Sequence, residues 1–328
     1  MPTLTLAEAE TFVAAALTRC RTSPENAACV ARALVAAEAE RLKGHGLSRV
    51  PSYAAQAKVG KVDGFAKPAI EWPRPSAAIV DAAHGFAFPA IELALAALPE
   101  AARQNGVTVA AIRRSHHCGA AGHPVERLAE HGLVALMFAN TPAAIAPWGG
   151  AKGVFGTNPI AFACPLPRRA PIVVDLSLST VARGNILAAR QKGERIPADW
   201  ALDALGKPTT DPAAALAGTM LPLGGAKGTA LALMVEILAA GLTGANYATE
   251  ASSFLDAKGP PPGTGQLIIA VDPSSFGGSA DRFASLAAMI EEQDGARLPG
   301  SRRLAAREKA KRDGIEISDV LLTEIEAV

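Results

Sequence analysis

A chain of 328 residues is long enough for one large domain or two ordinary ones, with a core that needs no covalent staples. Its 32 Lys and Arg against 31 Asp and Glu leave a net charge of +1, which argues against a protein built to neutralise the phosphates of a duplex. Four cysteines, at positions 20, 29, 118 and 164, form no CxxC pair, which argues against a secreted disulfide scaffold and favours a reducing compartment. Aromatic residues at 5 % favour close packing of helices on sheets over surfaces that stack bases, so a small-molecule enzyme is expected and a nucleic-acid partner is not.

The first residues lack a basic leader, and Glu8 and Glu10 interrupt their apolar run, so neither a signal peptide nor a membrane anchor is expected and the location expected is cytoplasmic. Thr5 with Glu8 three residues on is a capping-box signature for a helix with Leu6, Phe12, Val13 and Leu17 on its apolar face. Ser23 followed by Pro24 starts a second helix, which the reading carries to Gly44. Pro68, Pro73 and Pro75 make 66–76 too proline-rich for a helix or a central strand, and an N-terminal helical subdomain, 1–70, is taken to end there.

Extended and helical signals then alternate: a strand at 77–80, a helix at 89–104 closed by Gly106, a strand at 107–112, and a helix at 124–131 closed by Gly132. Further strands are expected at 133–138, 160–163, 172–175 and 267–271, with a long apolar helix over 227–242. Several connections are too short for a helical crossover. The fold class expected is therefore α/β with a mixed, largely antiparallel sheet over 71–278. The tail from 279 to 328 is read as helical, basic from Arg302 to Arg312, and folding back to complete the N-terminal subdomain.

Three segments concentrate chemistry. The first is Gly44-His45-Gly46-Leu47-Ser48-Arg49-Val50-Pro51-Ser52-Tyr53. His45 can exchange a proton near neutral pH, the flanking glycines admit a substrate, and Arg49 offers a planar fork for a carboxylate. If a helix starts near Ser48, Pro51 falls in its first turn and Arg49 and Tyr53 share a face. The plainer reading, a helix-ending His with solvated neighbours, stands beside it.

The second segment is Arg113 to Pro124, a loop between a strand and a helix that includes His116, His117, Cys118 and His123. Adjacent His116 and His117 on an extended chain are expected to face opposite ways, and no HExxH is present, so no metal site is expected. A Cys118–His117 nucleophile pair is disfavoured too, because sequence neighbours seldom form one. The third segment is Leu223-Gly224-Gly225-Ala226-Lys227-Gly228-Thr229. Convergent backbone amides, a helix N-terminus and the Lys227 charge make a phosphate seat there, or the turn merely packs a helix closely. Neither a P-loop nor a GxGxxG follows a strand, so no triphosphate site and no ordinary Rossmann dinucleotide site is expected.

With Phe155-Gly156-Thr157-Asn158-Pro159, Val174-Asp175-Leu176-Ser177, Lys192 to Pro197 and Arg297-Leu298-Pro299-Gly300, these segments resemble the malate/L-lactate dehydrogenase type 2 family over nearly the whole chain. Stretches 203–212 and 264–269 are most similar to its piperideine-2-carboxylate/pyrroline-2-carboxylate reductases. The resemblance implies a non-Rossmann fold, an NAD(P)H-dependent oxidoreductase and a likeness to homodimers. The substrate it implies is a cyclic 2-imino acid, with an open-chain 2-oxo or 2-hydroxy acid as the alternative and cofactor binding without turnover as a further one. By position it makes His45 the proton donor, Arg49 the carboxylate clamp, and Tyr53 and Thr157 further substrate contacts. His117, Cys118, Gly119, Ala120, Ala121, Asp175, Leu176, Ser177, Ala226, Lys227, Arg297, Pro299, Gly300, Ser301, Arg302 and Arg303 would hold the cofactor. NADPH is expected ahead of NADH, because basic residues near 297–303 could meet a 2′-phosphate. The imino-acid reductases carry a Ser before the catalytic His and a catalytic Asp at the position of Asn185; Gly44 and Asn185 stand here, leaving His45 without a carboxylate to raise its pKa.

Overall fold

The Thr5 side chain accepts from the Glu8 amide while the Glu8 carboxylate accepts from the Thr5 amide, so the expected capping box opens α1 (Leu6–Arg19) behind β1 (Thr3–Leu4). Ser23 caps α2 (Pro24–Ala39) through the Asn26 amide, with Pro24 in the first turn. Helix α2 stops well short of Gly44. Arg41 takes the left-handed conformation at φ 63° while Leu42 N–H reaches back to Ala37 O and Arg41 N–H to Glu38 O, a Schellman closure with an arginine where a glycine is usual. Two 3₁₀ turns follow, Lys43–His45 and Leu47–Arg49, and then α3 (Val50–Lys58).

The computed structural model describes residues 2–277 and 279–328; residues 1 and 278, the outer limits of two of the expected units, lie outside them. After α3 come β2 (Ala69–Arg74), β3 (Ala77–Asp81), α4 (Ala87–Asn105), β4 (Val107–Ser115), α5 (Gly122–Glu130), β5 (Val134–Ala139), β6 (Ile160–Leu166), β7 (Arg169–Leu176) and α6 (Arg183–Lys192). The short elements β8 (Ala201–Leu202), α7 (Pro212–Ala217) and β9 (Thr219–Met220) lead to α8 (Ala226–Glu236) and β10 (Thr264–Val271). The tail holds α9 (Ala280–Glu291), α10 (Ser301–Asp313), β11 (Ile315–Glu316) and α11 (Asp319–Glu326).

Among the described residues one seven-stranded sheet runs β2-β3-β4-β10-β5-β6-β7. Only β3 and β4 pair in parallel, across the α4 crossover; every other pairing is antiparallel, as the short connections require. The proline-rich segment supplies the edge strand β2, where Pro73 leaves no inner ladder unpaired. Alternate residues serve two cores. Ala110, Ile112, Met137, Ile268 and Ala270 face α4 and α5, whereas Phe138 and Leu267 face α8 together with the half-buried Val109, Ala111, Leu136 and Ile269. Burial on both faces is why these strands read as nearly continuous apolar runs.

The helix expected over 227–242 is instead α8 followed by a π turn, Ile237–Gly241. That turn lies against Gly265 of β10 so closely that an added Cβ would sit 2.0 Å from Ala239 O. A third core joins Val13, Leu17, Val30 and Leu34 to Tyr53, Phe86 and Phe88, and draws in Ala310, Ile315 and Ile325 from the tail. Helix α9 rests elsewhere, with Ala287 against Leu166, Leu298 and Ile172.

Candidate active site

After the Schellman stop the chain passes so close to α2 that a Cβ on Gly46 would lie 2.2 Å from Glu38 Oε2, while Gly44 faces open space. The Glu38 carboxylate accepts from Leu47 N–H at 3.0 Å, and burial raises its pKa. Arg49 Nε donates to Gly44 O at 2.6 Å, folding the arginine back over the turn that presents His45. No hydrogen bond to the Arg49 Nη atoms is made among the described residues. Burial, reinforced by Arg49 and His123, pushes the His45 imidazole down to about 4.

Behind His45 lies a group of rings. His117 stacks on His45 with centroids 5.4 Å apart and planes 21° from parallel. Its Nδ1 is 2.6 Å from Tyr53 Oη, and His116 Nε2 is 3.0 Å from Gln56 Oε1. Phe254 packs on both histidines, 5.0 Å from His116 and 5.3 Å from His117. The expected divergence of His116 and His117 is therefore corrected: β4 ends at Ser115, the chain leaves the strand conformation, and both rings turn into one cluster. Tyr53, expected to contact substrate, has no exposed surface and instead hydrogen-bonds His117 from behind.

The partners assign the tautomers. Gln56 Nε2 donates to Ser52 O and Phe254 O, so its Oε1 must accept and His116 carries its proton on Nε2. Burial raises the Tyr53 pKa, so its hydroxyl stays protonated and donates to His117 Nδ1, which keeps the His117 proton on Nε2. Burial also lowers both histidine pKa values, that of His116 to about 3, so both rings are neutral near pH 7. The Cys118 thiol, buried and facing the Asp175 charge, is pushed up to about 12 and is no nucleophile at neutral pH.

Asp175, at the end of β7, accepts from Gly122 N–H at 2.8 Å and fastens the 117–121 loop, with Gly119 and Ala120, to the sheet. Ser177 Oγ reaches Thr157 O at 3.5 Å, and Leu176 beside it is exposed. Thr157 N–H donates to Thr141 Oγ1 at 2.9 Å. The turn is set by a residue the motifs did not single out, the buried Glu236. Its carboxylate accepts from Asn158 Nδ2 at 2.7 Å, Asn140 Nδ2 at 3.1 Å and Ala248 N–H at 2.6 Å.

At the third segment Gly224 and Gly225 take φ of 64° and 63°, which L side chains rarely adopt, and the turn delivers Ala226 and an exposed Lys227 to the start of α8. Leu223 N–H donates to Leu178 O at 2.8 Å, joining this turn to the strand end that carries Asp175 and Ser177. The 297–303 turn divides its cations. Arg303 Nη1 lies 2.9 Å from both Glu40 oxygens and 2.8 Å from Glu126 Oε2, so it is largely committed to two buried carboxylates rather than to a ligand. Arg307 binds the same pair, and His123 Nε2 is 2.8 Å from Glu40 Oε2. Arg297, Pro299, Ser301 and Arg302 are exposed, and Gly300 is the N-cap of α10.

Asn185 is exposed near the start of α6, and no hydrogen bond joins it to His45 among the described residues. Among the described residues no group of three His, Cys, Asp or Glu is arranged to hold a metal ion, and no helix is long and apolar enough to cross a membrane. Gln56, Lys61, Glu236 and Phe254 are the site-supporting residues that sequence reasoning missed. Gln56 alone carried a signal, lying one turn beyond Tyr53 on the same helix.

A family model described as malate/L-lactate dehydrogenase matches residues 4–326. The chain is 48 % identical to a (2R)-3-sulfolactate dehydrogenase (NADP(+)) of Chromohalobacter salexigens, over 99 % of this chain and 97 % of the relative. It is 41 % identical to a Δ1-pyrroline-2-carboxylate/Δ1-piperideine-2-carboxylate reductase of Pseudomonas aeruginosa, over 99 % and 98 %. The crystal structure of Δ1-piperideine-2-carboxylate reductase from Pseudomonas syringae pv. tomato superposes with a TM-score of 0.93 at 38 % identity, covering 100 % of this chain and 99 % of that one.

Proposed function

Because the chain belongs to the malate/L-lactate dehydrogenase family, we propose that it oxidises a small 2-hydroxy acid, or reduces the matching 2-oxo acid, with NADP(H). The observation that carries this reading is the geometry of His45, stacked on a neutral His117 within a turn that also holds Arg49. A neutral imidazole is a base at working pH. It takes the hydroxyl proton of the substrate as the C2 hydride departs, and in the reverse direction returns that proton to the oxygen. Arg49 binds the carboxylate through its Nη atoms and so fixes C2. His117, with its proton held on Nε2 by Tyr53, offers a donor beside His45.

The nicotinamide cofactor supplies the hydride acceptor or donor. The residues fit it: Lys227 at the N-terminus of α8, behind the left-handed Gly224-Gly225 turn, and the exposed Arg297 and Arg302 suit phosphates, with 117–121 and 175–177 between them and His45. NADP(H) rather than NAD(H) is supported by those cations and by the NADP(+) in the name of the sulfolactate relative. A homodimer belongs to the same reading, and the exposed Leu233, Met234, Ile237 and Leu242 give an apolar face for it, a point sedimentation would test.

The relatives named as imino-acid reductases, and stretches 203–212 and 264–269, favour a second reading, reduction of pyrroline- or piperideine-2-carboxylate. Gly44 and Asn185 tip the choice toward the hydroxy acid, since the Ser and Asp that the family resemblance implies for those reductases are absent. The test follows nucleotide absorbance with sulfolactate, malate and lactate against NADP⁺, and with both cyclic imino acids against NADPH. Turnover of a hydroxy acid supports the first reading and turnover of the imines alone overturns it. Tight NADPH binding with no turnover across the panel would indicate a cofactor-binding protein instead.

A further inference from the structure

We propose that Lys61 is a positioning residue for this site: its ammonium gathers the 253–258 segment around itself and thereby holds Phe254 against His116 and His117. Lys61 is only 3 % exposed, and Nζ donates to the carbonyls of Ser253 at 2.6 Å, Asp256 at 2.9 Å and Lys258 at 2.7 Å. Its three protons are thus all engaged, and the Asp256 carboxylate stands 3.8 Å away as counter-charge. Among the described residues 242–263 contains no helix or strand, so no backbone ladder holds this stretch. A single cation gathers its carbonyls instead.

Phe254 lies inside the clamped segment. Its carbonyl accepts from Gln56 Nε2 at 2.9 Å, and its ring covers both histidines. Lys61 N–H in turn donates to Gln56 O at 3.0 Å, so one helix and the turn after it hold Tyr53 on His117, Gln56 on His116, and the loop whose ring closes over the pair. A buried ammonium is costly, and an apolar side chain would fill the same space with less penalty. What an apolar side chain could not do is draw three carbonyls to one point. The charged and titratable groups acting on these rings are Lys61 and Arg49 on His116, and Arg49, His45 and His116 on His117.

The inference rests on the reading of His45 and His117 as the reactive site, but two of its readouts need no substrate. In the full chain, Lys61→Met should raise amide hydrogen exchange across 252–258 about tenfold or more. It should also move the ring titrations of His116 and His117, followed by NMR, upward toward the ordinary histidine range. The turnover number should fall about tenfold while the KM for nucleotide holds, as expected when a reacting group is slightly misplaced. Phe254→Ala, with the clamp intact, should shift the His117 titration the same way without loosening 255–258. Unchanged histidine titrations in Phe254→Ala overturn the proposal whatever Lys61→Met does, and so does a folded Lys61→Met whose loop amides stay protected. Failure to turn over any hydroxy or imino acid would strike the functional reading while leaving the exchange and titration results to judge Lys61.

Discussion

His117 and His123 lie six residues apart, yet their surroundings hold them by opposite means. Around His117 the contacts are neutral: a tyrosine hydroxyl, a second uncharged imidazole partnered by a glutamine, and a phenylalanine ring. Around His123 they are ionic, with Glu40 and Glu126 both buried and shared between Arg303 and Arg307. Desolvation acts on both. Where no counter-charge is present it removes the charge, and His116 falls to about 3; where His123 and Arg303 bond to the carboxylate they outweigh it, and Glu40 falls to about 2. The first arrangement leaves rings that stay uncharged near neutral pH. The second makes a fixed joint between α2, α5 and α10.

The widest separation between the two regions should come from His45→Ala, which removes the proton-exchanging group but touches no ion pair. A loss of about 10²–10⁴-fold in kcat/KM is expected, with nucleotide affinity and unfolding midpoint nearly unchanged. Hardly altered kinetics would show that the proton is carried by another group. In the ionic region the order reverses. Glu40→Leu leaves two partly buried guanidinium groups facing Glu126 alone and should cost about 3–5 kcal/mol in urea unfolding, with little relief at high salt, while residual folded protein keeps its turnover number. A cost below about 1 kcal/mol would mean that the joint is in effect a solvated surface pair.

Acid separates the regions again. For Glu40 the unfolded value of 4.5 drops to about 2 on folding, so its stabilisation is complete above pH 4.5 and is lost as pH falls toward 2. That loss amounts to about 3 kcal/mol. His116 begins to act earlier, because the unfolded chain takes up its proton near 6.5 whereas the folded chain does not until about 3, so stability already declines as pH falls below 6.5. Unfolding of His116→Gln followed against pH should make the upper part of this decline shallower, with His45 and His117 still contributing to it, and retain the lower part.

The pH dependence of rate reports on His45 itself. Oxidation needs the neutral ring, so kcat/KM should stay level through neutral pH and drop only as pH falls through about 4; reduction needs the protonated ring and should weaken steadily as pH rises above that value. A break near 6.5 in the free enzyme would mean that water reaches the ring freely. The smallest effects concern the two glycines beside it. Gly46→Ala must push Glu38 aside and should cost about 1–3 kcal/mol in thermal or urea unfolding, whereas Gly44→Ser meets nothing within 4 Å and should be neutral for folding. Any change that Gly44→Ser makes in the preference between hydroxy and imino acids then reads chemistry alone.

Much of the fold was legible because its signals are local. Thr5 with Glu8, Ser23 with Pro24, and the apolar runs flanked by Gly106 and Gly132 report on residues within one turn of each other, and covalent proximity makes such patterns dependable. The end of α2 was misplaced because Arg41 took the left-handed position that a reader assigns to glycine. Short connections likewise announced an antiparallel sheet, but not that β10, late in the chain, would slide between β4 and β5.

His45, Arg49, His117 and Lys227 were visible as reactive residue types in unusual company. Residue types and their spacing showed which chemistry was on hand. What each group could do with it depended on the packed fold, because protonation and tautomer depend on partners far along the chain. Gln56 meets Phe254 and Lys61 meets Ser253 across almost two hundred residues, Tyr53 reaches His117 across 64, and Arg303 turns from a prospective phosphate ligand to Glu40 across 263. Those separations are closed by burial of the cores that the strands and helices share, and burial is also what moves the pKa values, so no local pattern can encode the result.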